Sequence, residues 1–556
     1  MDPERIVIHK CSVAQLLRDT GSGKFAIPHL QREFVWDGPK AAKLLDSIFR
    51  GMPVGVVLIW QTPKDQRLHL REKFHVLPPF NSHNRKVWFL IDGQQRVSVL
   101  HHVCKGDRLE NARRQPIDFS RVVFALKNKV DGQYIRYRRP VTREYISMSD
   151  VLHPQWRQKL NGFGKREVER VRDCRNRILN YRMFQMFIES DIADIRECFL
   201  RINTQGMKVT TADAVFTQAE SLKLRDIVHE LRQHLDDRFN DIGEQPLLFL
   251  LAAVRGASEA RGRVVADIIR KLNRDALKDI QLRKSLAKDW NRLGPCIGKA
   301  ADYLRDKFFV VSRDFLASDY MLAMLAFFYF HNVRGPNPKQ AAEIRKWFWA
   351  TSVGSRYSGR DFNRCVPQDL KQFLALSKNP SKRFAYSPQA ETIDIRKAQF
   401  GAKSAITSAV YCMLLKRGPV YLLSEGLDEI PIHHYSTRAN RSDRHHIFPR
   451  QPMANEGIPA SLYNSISNIC MLVAEENQKI GSMRPRVYLQ QLDQPGTGFN
   501  RKMDRHLIPI DESSGVWEKN IKRGFKAFLT RRTSMICTAL EIEAGIRLFR
   551  RDLPRI

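Results

Sequence analysis

Late in the chain, Arg441-Ser442-Asp443-Arg444-His445-His446-Ile447-Phe448-Pro449 leads into a loop marked by Pro452, Gly457 and Pro459. Asn464-Ser465-Ile466-Ser467-Asn468 follows, then an apolar run from Ile469 to Val473, and Glu475-Glu476 open a helix that carries Asn477. Strand, loop, strand, helix is the order this predicts, a β-hairpin followed by a helix. Neighbouring strand residues face opposite ways unless the strand is bulged or ending, so His445 and His446 can hold two different jobs. Phosphodiester hydrolysis needs a base for water and a cation for the charge that builds on the phosphate. Imidazole, with a pKa of about 6.5, suits the base. The Asn477 carbonyl is a hard oxygen of the kind Mg²⁺ or Mn²⁺ accepts. The stretch reads as a one-metal nuclease site.

The N-terminal third carries a second constellation. Ile27-Pro28-His29-Leu30-Gln31-Arg32-Glu33-Phe34-Val35-Trp36 is an extended segment that leads into a helix from about Pro39, with Ala41, Leu44, Leu45 and Ile48 on one face and Gly51 as its stop. Strands are expected at Val54–Trp60 and Val87–Ile91. The second breaks at Asp92-Gly93-Gln94-Gln95-Arg96, after which Val97, Leu100 and Val103 space as a helix face. A strand that breaks at glycine into a helix leaves unpaired N–H groups, an anion site that Gln94, Gln95 and Arg96 can extend and where Asp92 can hold Mg²⁺ or orient water. A plain polar turn leaves the same trace, and no Walker motif is present.

At 556 residues the chain is too long for one core. Lys and Arg number 93 against 59 Asp and Glu, a formal charge of +34 that points to a polyanionic partner. The basic residues are spread along the chain rather than gathered on an amphipathic helix, so a membrane surface is disfavoured. Nine cysteines without a Cys-x-x-Cys pair read as reduced thiols of a cytoplasmic protein. Met1-Asp2-Pro3-Glu4-Arg5 lacks a signal-peptide pattern. The longest apolar runs, 247–254 and 320–330, fall short of the ~20 residues that span a bilayer.

Between the two constellations, Val122–Leu126 and Tyr134–Arg138 read as a hairpin around Lys129-Val130-Asp131-Gly132. Arg136, Arg138 and Arg139 beside Tyr137 suit either nucleic acid or a solvated strand edge. Lys165–Arg177 is a charged helix, residues 240–375 have helical periodicity, and Lys378-Asn379-Pro380-Ser381-Lys382-Arg383 through Pro388 is the linker candidate.

The C-terminal pattern, (Asp or His)-His-Ile-x-Pro, then Ser-Ile-x-Asn, then Asn nine residues on, resembles HNH (His-Me finger) nucleases. That resemblance implies His445 and Asn477 as metal ligands, His446 as general base and Asn468 as the residue bracing the loop. His in place of the commoner Asp at the first position implies a softer metal preference. Ile-Pro-x-x-Gln-Arg-x-Phe-Val-Trp, Leu44 through Pro53, Asp-Gly-Gln-Gln-Arg, and Phe199-Leu200-Arg201-Ile202-Asn203-Thr204-Gln205-Gly206 resemble the N-terminal domain of GmrSD-type (type IV) restriction endonucleases, which the family joins to an HNH domain. The resemblance implies an α+β multidomain protein. Its parts would be a ParB/sulfiredoxin-like NTP-binding domain over 1–235, a helical region over 236–376 and a ββα-metal HNH domain over 377–556. NTP would contact Gln31, Arg32, Asp92, Gly93, Gln94, Gln95 and Arg96. The implied activity is NTP-regulated, Mg²⁺- or Mn²⁺-dependent cleavage of double-stranded DNA carrying base or backbone modifications, with homo-oligomerisation left open. The alternative is a nucleotide-dependent DNA-binding regulator with an inactive HNH domain. A sulfiredoxin-like redox enzyme is disfavoured because no cysteine lies in the Asp-Gly-Gln-Gln-Arg loop.

Overall fold

Unbroken apolar runs over Val56–Trp60 and Val87–Ile91 suit strands of a sheet covered on both faces. That sheet is present in the computed structural model, which describes residues 6–31, 33–63, 70–71, 76–81, 83, 86–111, 116–127, 132–138, 144–205, 212, 215–216, 219, 222–236, 239, 241–401, 403–435 and 444–550. The chain forms two compact units, Met1–Ile227 with Ile269–Arg283, and Val228–Ile268 with Lys284–Ile556. The architecture is mixed α and β in several parts.

In the first unit, β1 (Ile6–Ser12) runs into α1 (Val13–Gly21), with the Ser12 hydroxyl accepting from Gln15 N at the cap. β2 (Phe25–Ala26) precedes α2 (Gly38–Phe49), which Asp37 caps and Pro39 enters in its first turn. Then come β3 (Val56–Pro63), β4 (Lys86–Asp92) and α3 (Gln94–Lys105). β5 (Val122–Ala125) pairs antiparallel with β6 (Ile135–Tyr137), the expected hairpin, and with β7 (Tyr145–Ser147). The charged helix is α4 (Lys165–Asn180), and β8 (Arg182–Ile188) follows it.

The large sheet has the order β1-β8-β3-β4-β2. β8 lies parallel to β3 and β2 parallel to β4, while β1–β8 and β3–β4 are antiparallel. One face, with Val57, Ile59 and Leu90, packs into the main core with α1, α2 and α3; the other, with Leu58, Trp60 and Phe89, packs with Phe199. β3 starts at Val56 rather than the expected Val54. The Val54 carbonyl accepts from the Arg96 guanidinium instead of a strand partner.

The second unit is helical except for short strand pairs. Its central helices include α5 (Glu244–Ala253), α6 (Asp319–His331), α7 (Pro338–Val353) and α8 (Phe362–Lys378), matching the periodicity over 240–375. Asp369 of α8 is wholly buried and accepts from Arg356 Nη2 at 2.8 Å and Tyr357 Oη at 2.9 Å. Burial pushes its carboxyl pKa up, and those two donors work against it. The polar stretch after Lys378, expected as a linker, is anchored. Phe384 is buried beside Phe373 and its N–H donates to Glu343 Oε2, so one aromatic fixes a segment whose composition signals only coil. No described helix is long and apolar enough to cross a membrane. All nine cysteines are free thiols.

Candidate functional site

β9 (Arg444–His446) pairs antiparallel with β10 (Ile469–Met471), His445 opposite Cys470 and His446 opposite Ile469. α9 (Ala474–Ile480) follows directly, so the strand–strand–helix order is as expected. Strand alternation separates the two histidines: His445 is 1% exposed, while His446 is half-buried.

Asn468, with no exposed surface, holds the connection between the strands. Its Nδ2 donates to Phe448 O at 3.0 Å and Tyr463 O at 2.8 Å, and its Oδ1 accepts from Phe448 N at 2.9 Å. Behind it, α10 (Ile521–Ala544) contributes Arg532, whose guanidinium donates to the carbonyls of Ser467, His506 and Leu507. A fully buried guanidinium is costly to desolvate. Burial lowers its pKa to about 10, and it remains charged at neutral pH.

His445 Nδ1 lies 2.7 Å from Asn477 Oδ1, so the chain brings these two side chains together across 32 positions. Burial lowers the His445 pKa to about 4, against the opposing pull of Asn477, and the ring is neutral near pH 7. Its Nε2 is buried without a hydrogen-bond partner. A neutral imidazole and an amide oxygen in contact suit a divalent cation that keeps most of its waters. Among the described residues no group of three or more His, Cys, Asp or Glu forms a cation site.

His446 Nε2 lies 3.0 Å from Asn464 Oδ1 and 3.3 Å from Arg450 Nε, and its ring meets Phe400 edge-on at 5.2 Å. Burial lowers its pKa to about 4, with Arg450 and His445 adding to the effect and Asn464 opposing it. Nε2 donates to Asn464 in one neutral tautomer and accepts from Arg450 Nε in the other, while Nδ1 has no hydrogen-bond partner among the described residues. Asn464, Arg450 and Phe400 were not legible as site residues. Only the position of Asn464, four residues before Asn468, hinted at it.

The same core holds His506, 2% exposed, with Nε2 2.8 Å from Val420 O. Burial lowers its pKa to about 4, helped by Arg532, His445 and Lys502 and opposed by the Val420 carbonyl. Unfolded, the ring takes a proton near pH 6.5; folded, it refuses one until about pH 4. The unfolded state therefore binds more protons in that window, and stability falls as pH drops through it, by about 3 kcal/mol for this group. Thermal melts of the second unit's transition should be level above pH 7 and fall steadily from pH 6.5 toward 4.5. His506→Gln should flatten that slope relative to wild type.

In the first unit, Asp92–Arg96 lie where β4 passes into α3. Gly93 caps the helix at φ 92°, and a Cβ there would stand 3.3 Å from Val57 Cα. No side chain caps the helix start, so its first N–H groups remain available. Gln31 Nε2 donates to Leu90 O and Ile91 O; Gln95 donates to Glu33 O and accepts from Val35 N and Trp36 N. Arg96 bonds Val54 O, Val56 O and Asp92 Oδ2. These three side chains thus tie the extended segment and both strands together, and Gly55, at φ 87°, lets the guanidinium pass.

A cleft of about 600 Å³ opens beside them, lined by Asp92, Gln94, Trp36 and, from α2, Lys40, Lys43 and Ser47. Gln94 Nε2 is buried there without a partner. Lys40 and Lys43 carry no signal in the sequence beyond the spacings of three and four that place them with Ser47 on one helix face. Arg32, Lys129, Val130, Asp131, Arg139, Gly206 and Arg441–Asp443 lie outside the described residues.

Comparison with known proteins places the first unit. Residues 13–219, which contain the Asp92 cleft, match the family described as GmrSD restriction endonuclease, N-terminal domain. An uncharacterized protein of Methanocaldococcus jannaschii is 22% identical over 539 residues, an alignment covering 86% of each chain. The domain points to a restriction-endonuclease function with DNA as substrate.

Proposed function

We propose that this chain is a divalent-metal-dependent DNA endonuclease with an HNH site, regulated by an NTP and directed at DNA with modified bases or backbone. The observation that carries the reading is the convergence of His445, His446, Asn468 and Asn477 on one strand–strand–helix segment, in a chain that also holds a GmrSD-type N-terminal domain.

His445 Nδ1 and Asn477 Oδ1 would hold Mg²⁺ or Mn²⁺. A cation held there would supply the positive charge that phosphodiester cleavage needs at the scissile phosphate and the departing oxygen. His446 Nδ1 takes the proton from the attacking water. In the tautomer with its proton on Nε2, shared with Asn464, the ring has Nδ1 free to act as base, and Asn468 fixes the loop that carries the histidine's neighbours. In the first unit, the open N–H groups of α3, the Lys40 and Lys43 ammonium groups and Gln94 would receive NTP phosphates, with Asp92 beside them. Gln31, Gln95 and Arg96 support that cleft through their backbone bonds, and Arg96 adds positive charge at its wall.

The test is cleavage by the full-length protein of unmodified, glucosylated and phosphorothioated duplexes, with Mg²⁺, Mn²⁺ or chelator, with and without each NTP. Cutting that needs the metal, favours one modified duplex and changes with an NTP is the expected result. Metal-independent cutting would remove the assignment of His445 and Asn477. Absence of cutting under every condition, with DNA binding retained, would favour the nucleotide-dependent regulator. Calorimetry showing no heat with any NTP, with or without DNA, would remove the regulatory half.

A further inference from the structure

A second cleft in the first unit, about 810 Å³, lies on the sheet face beside α1 and away from the Asp92 cleft. Trp88 and Asp92 are four residues apart on β4, about 13 Å along the strand. Its floor is β8, where Gln185 and Phe187 point to the same side. Gln185 is 5% exposed, and its Nε2 has no hydrogen-bond partner. Buried amide donors are rarely left unmet, so this one asks for an acceptor from within the cleft. Phe187 meets Trp88 edge-on at 4.8 Å and His9 at 5.2 Å, which makes an aromatic wall beside that donor. At the rim, Lys24 lies over the Trp88 ring at 4.1 Å, with Arg18 and Arg182 nearby. Asp19 is already engaged by Lys24 and Gln15.

We infer that this cleft is a second ligand site that takes a nucleobase with its 5′-phosphate, independent of the nuclease reading. An aromatic wall suits the base plane. Turned toward the opening, the Gln185 carboxamide offers a donor to a ring nitrogen or carbonyl on the base edge. Arg18 and Lys24 suit the phosphate, and Lys24 would leave the Trp88 face for it as the base stacks. The volume falls within the range of small-molecule sites, roughly 300–1,000 Å³. The same chemistry arrives as a free mononucleotide or as a base turned out of DNA.

The full-length protein is titrated with 2-aminopurine deoxyribonucleoside 5′-monophosphate, and separately with a duplex carrying one 2-aminopurine, while base fluorescence is followed. The expected result is saturable quenching of the free nucleotide, or a saturable change in the duplex, with Kd raised at least tenfold by Gln185→Leu and by Arg18→Ala. Lys371→Ala, exposed on α8 of the second unit and outside both clefts, should leave Kd unchanged. A response to the free nucleotide alone assigns a mononucleotide, and a response only in the duplex assigns a turned-out base. Leucine suits the buried position, and Arg18 is exposed, so the alanine variant decides if the leucine variant does not fold. The proposal falls if neither probe responds, if both variants bind as wild type does, if Lys371→Ala abolishes the signal, or if deoxyribose 5-phosphate competes as well as the nucleotide.

Discussion

His446→Ala should slow DNA cleavage by about 10²–10⁴-fold, the usual contribution of a positioned general base. The imidazole is half-buried, its Nε2 is beside Asn464 and its Nδ1 is open, so its removal takes away the group that accepts the water's proton. It removes little of the fold. The side chain makes no contact comparable to the three hydrogen bonds of Asn468, and the variant should melt near wild type and bind the same DNA. Single-turnover cleavage at saturating DNA and Mg²⁺ is the measurement, paired with a melt and a binding isotherm. Undiminished cutting would sink the assignment. Asn468→Ala supplies the contrast, because it leaves buried groups on Phe448 and Tyr463 unmet and should lower the melting temperature as well as the rate.

DNA affinity should fall steeply with salt. A protein that neutralises about 6–10 phosphates loses roughly 10³–10⁵ in affinity between about 50 and 200 mM salt, along a straight line of log K against log salt. The formal charge of +34 sets the expectation of a polyanion but overstates the slope. Several cations are held inside the protein: Arg532 on three carbonyls, Arg356 on Asp369, Arg71 on Glu33 and Asp226, and Arg96 on Val54 and Val56. Anisotropy titrations with a labelled duplex at four salt concentrations give the count directly. A flat response would mean that the exposed basic residues serve something other than DNA.

Where signals were local, the sequence was legible. The run into Gly93 places β4 and α3, Pro39 and Gly51 bracket α2, and the histidine pair with the later apolar run gives β9, β10 and α9. What escaped was long-range. Nothing in Ile6–Ser12 indicates that it pairs with Arg182–Ile188, and its residues Ile6, Val7 and Ile8 stay exposed. Asn464 looks like any loop asparagine until folding puts it 3.0 Å from His446. Arg96 reads as a phosphate ligand from its motif, while its three bonds are to the protein itself. The basic and aromatic mixture read around Tyr137 resolves into two intramolecular pairings, Arg121 lying 4.9 Å from the Tyr137 ring centre and Arg138 lying 4.4 Å from that of Tyr145.

The order of the large sheet bears on how the protein is made. Ser12 pairs with Arg182, about 170 positions later, and β3 has no neighbour on that side until β8 arrives. At about 5–20 residues per second, a ribosome needs roughly 10–35 s to deliver that strand after β1. Through that interval the apolar edge of β1 waits without its partner, open to association with other nascent chains or to a holding chaperone. Rare-codon substitutions between positions 100 and 180 would lengthen the wait and should lower soluble yield, while the same substitutions beyond position 300 should not.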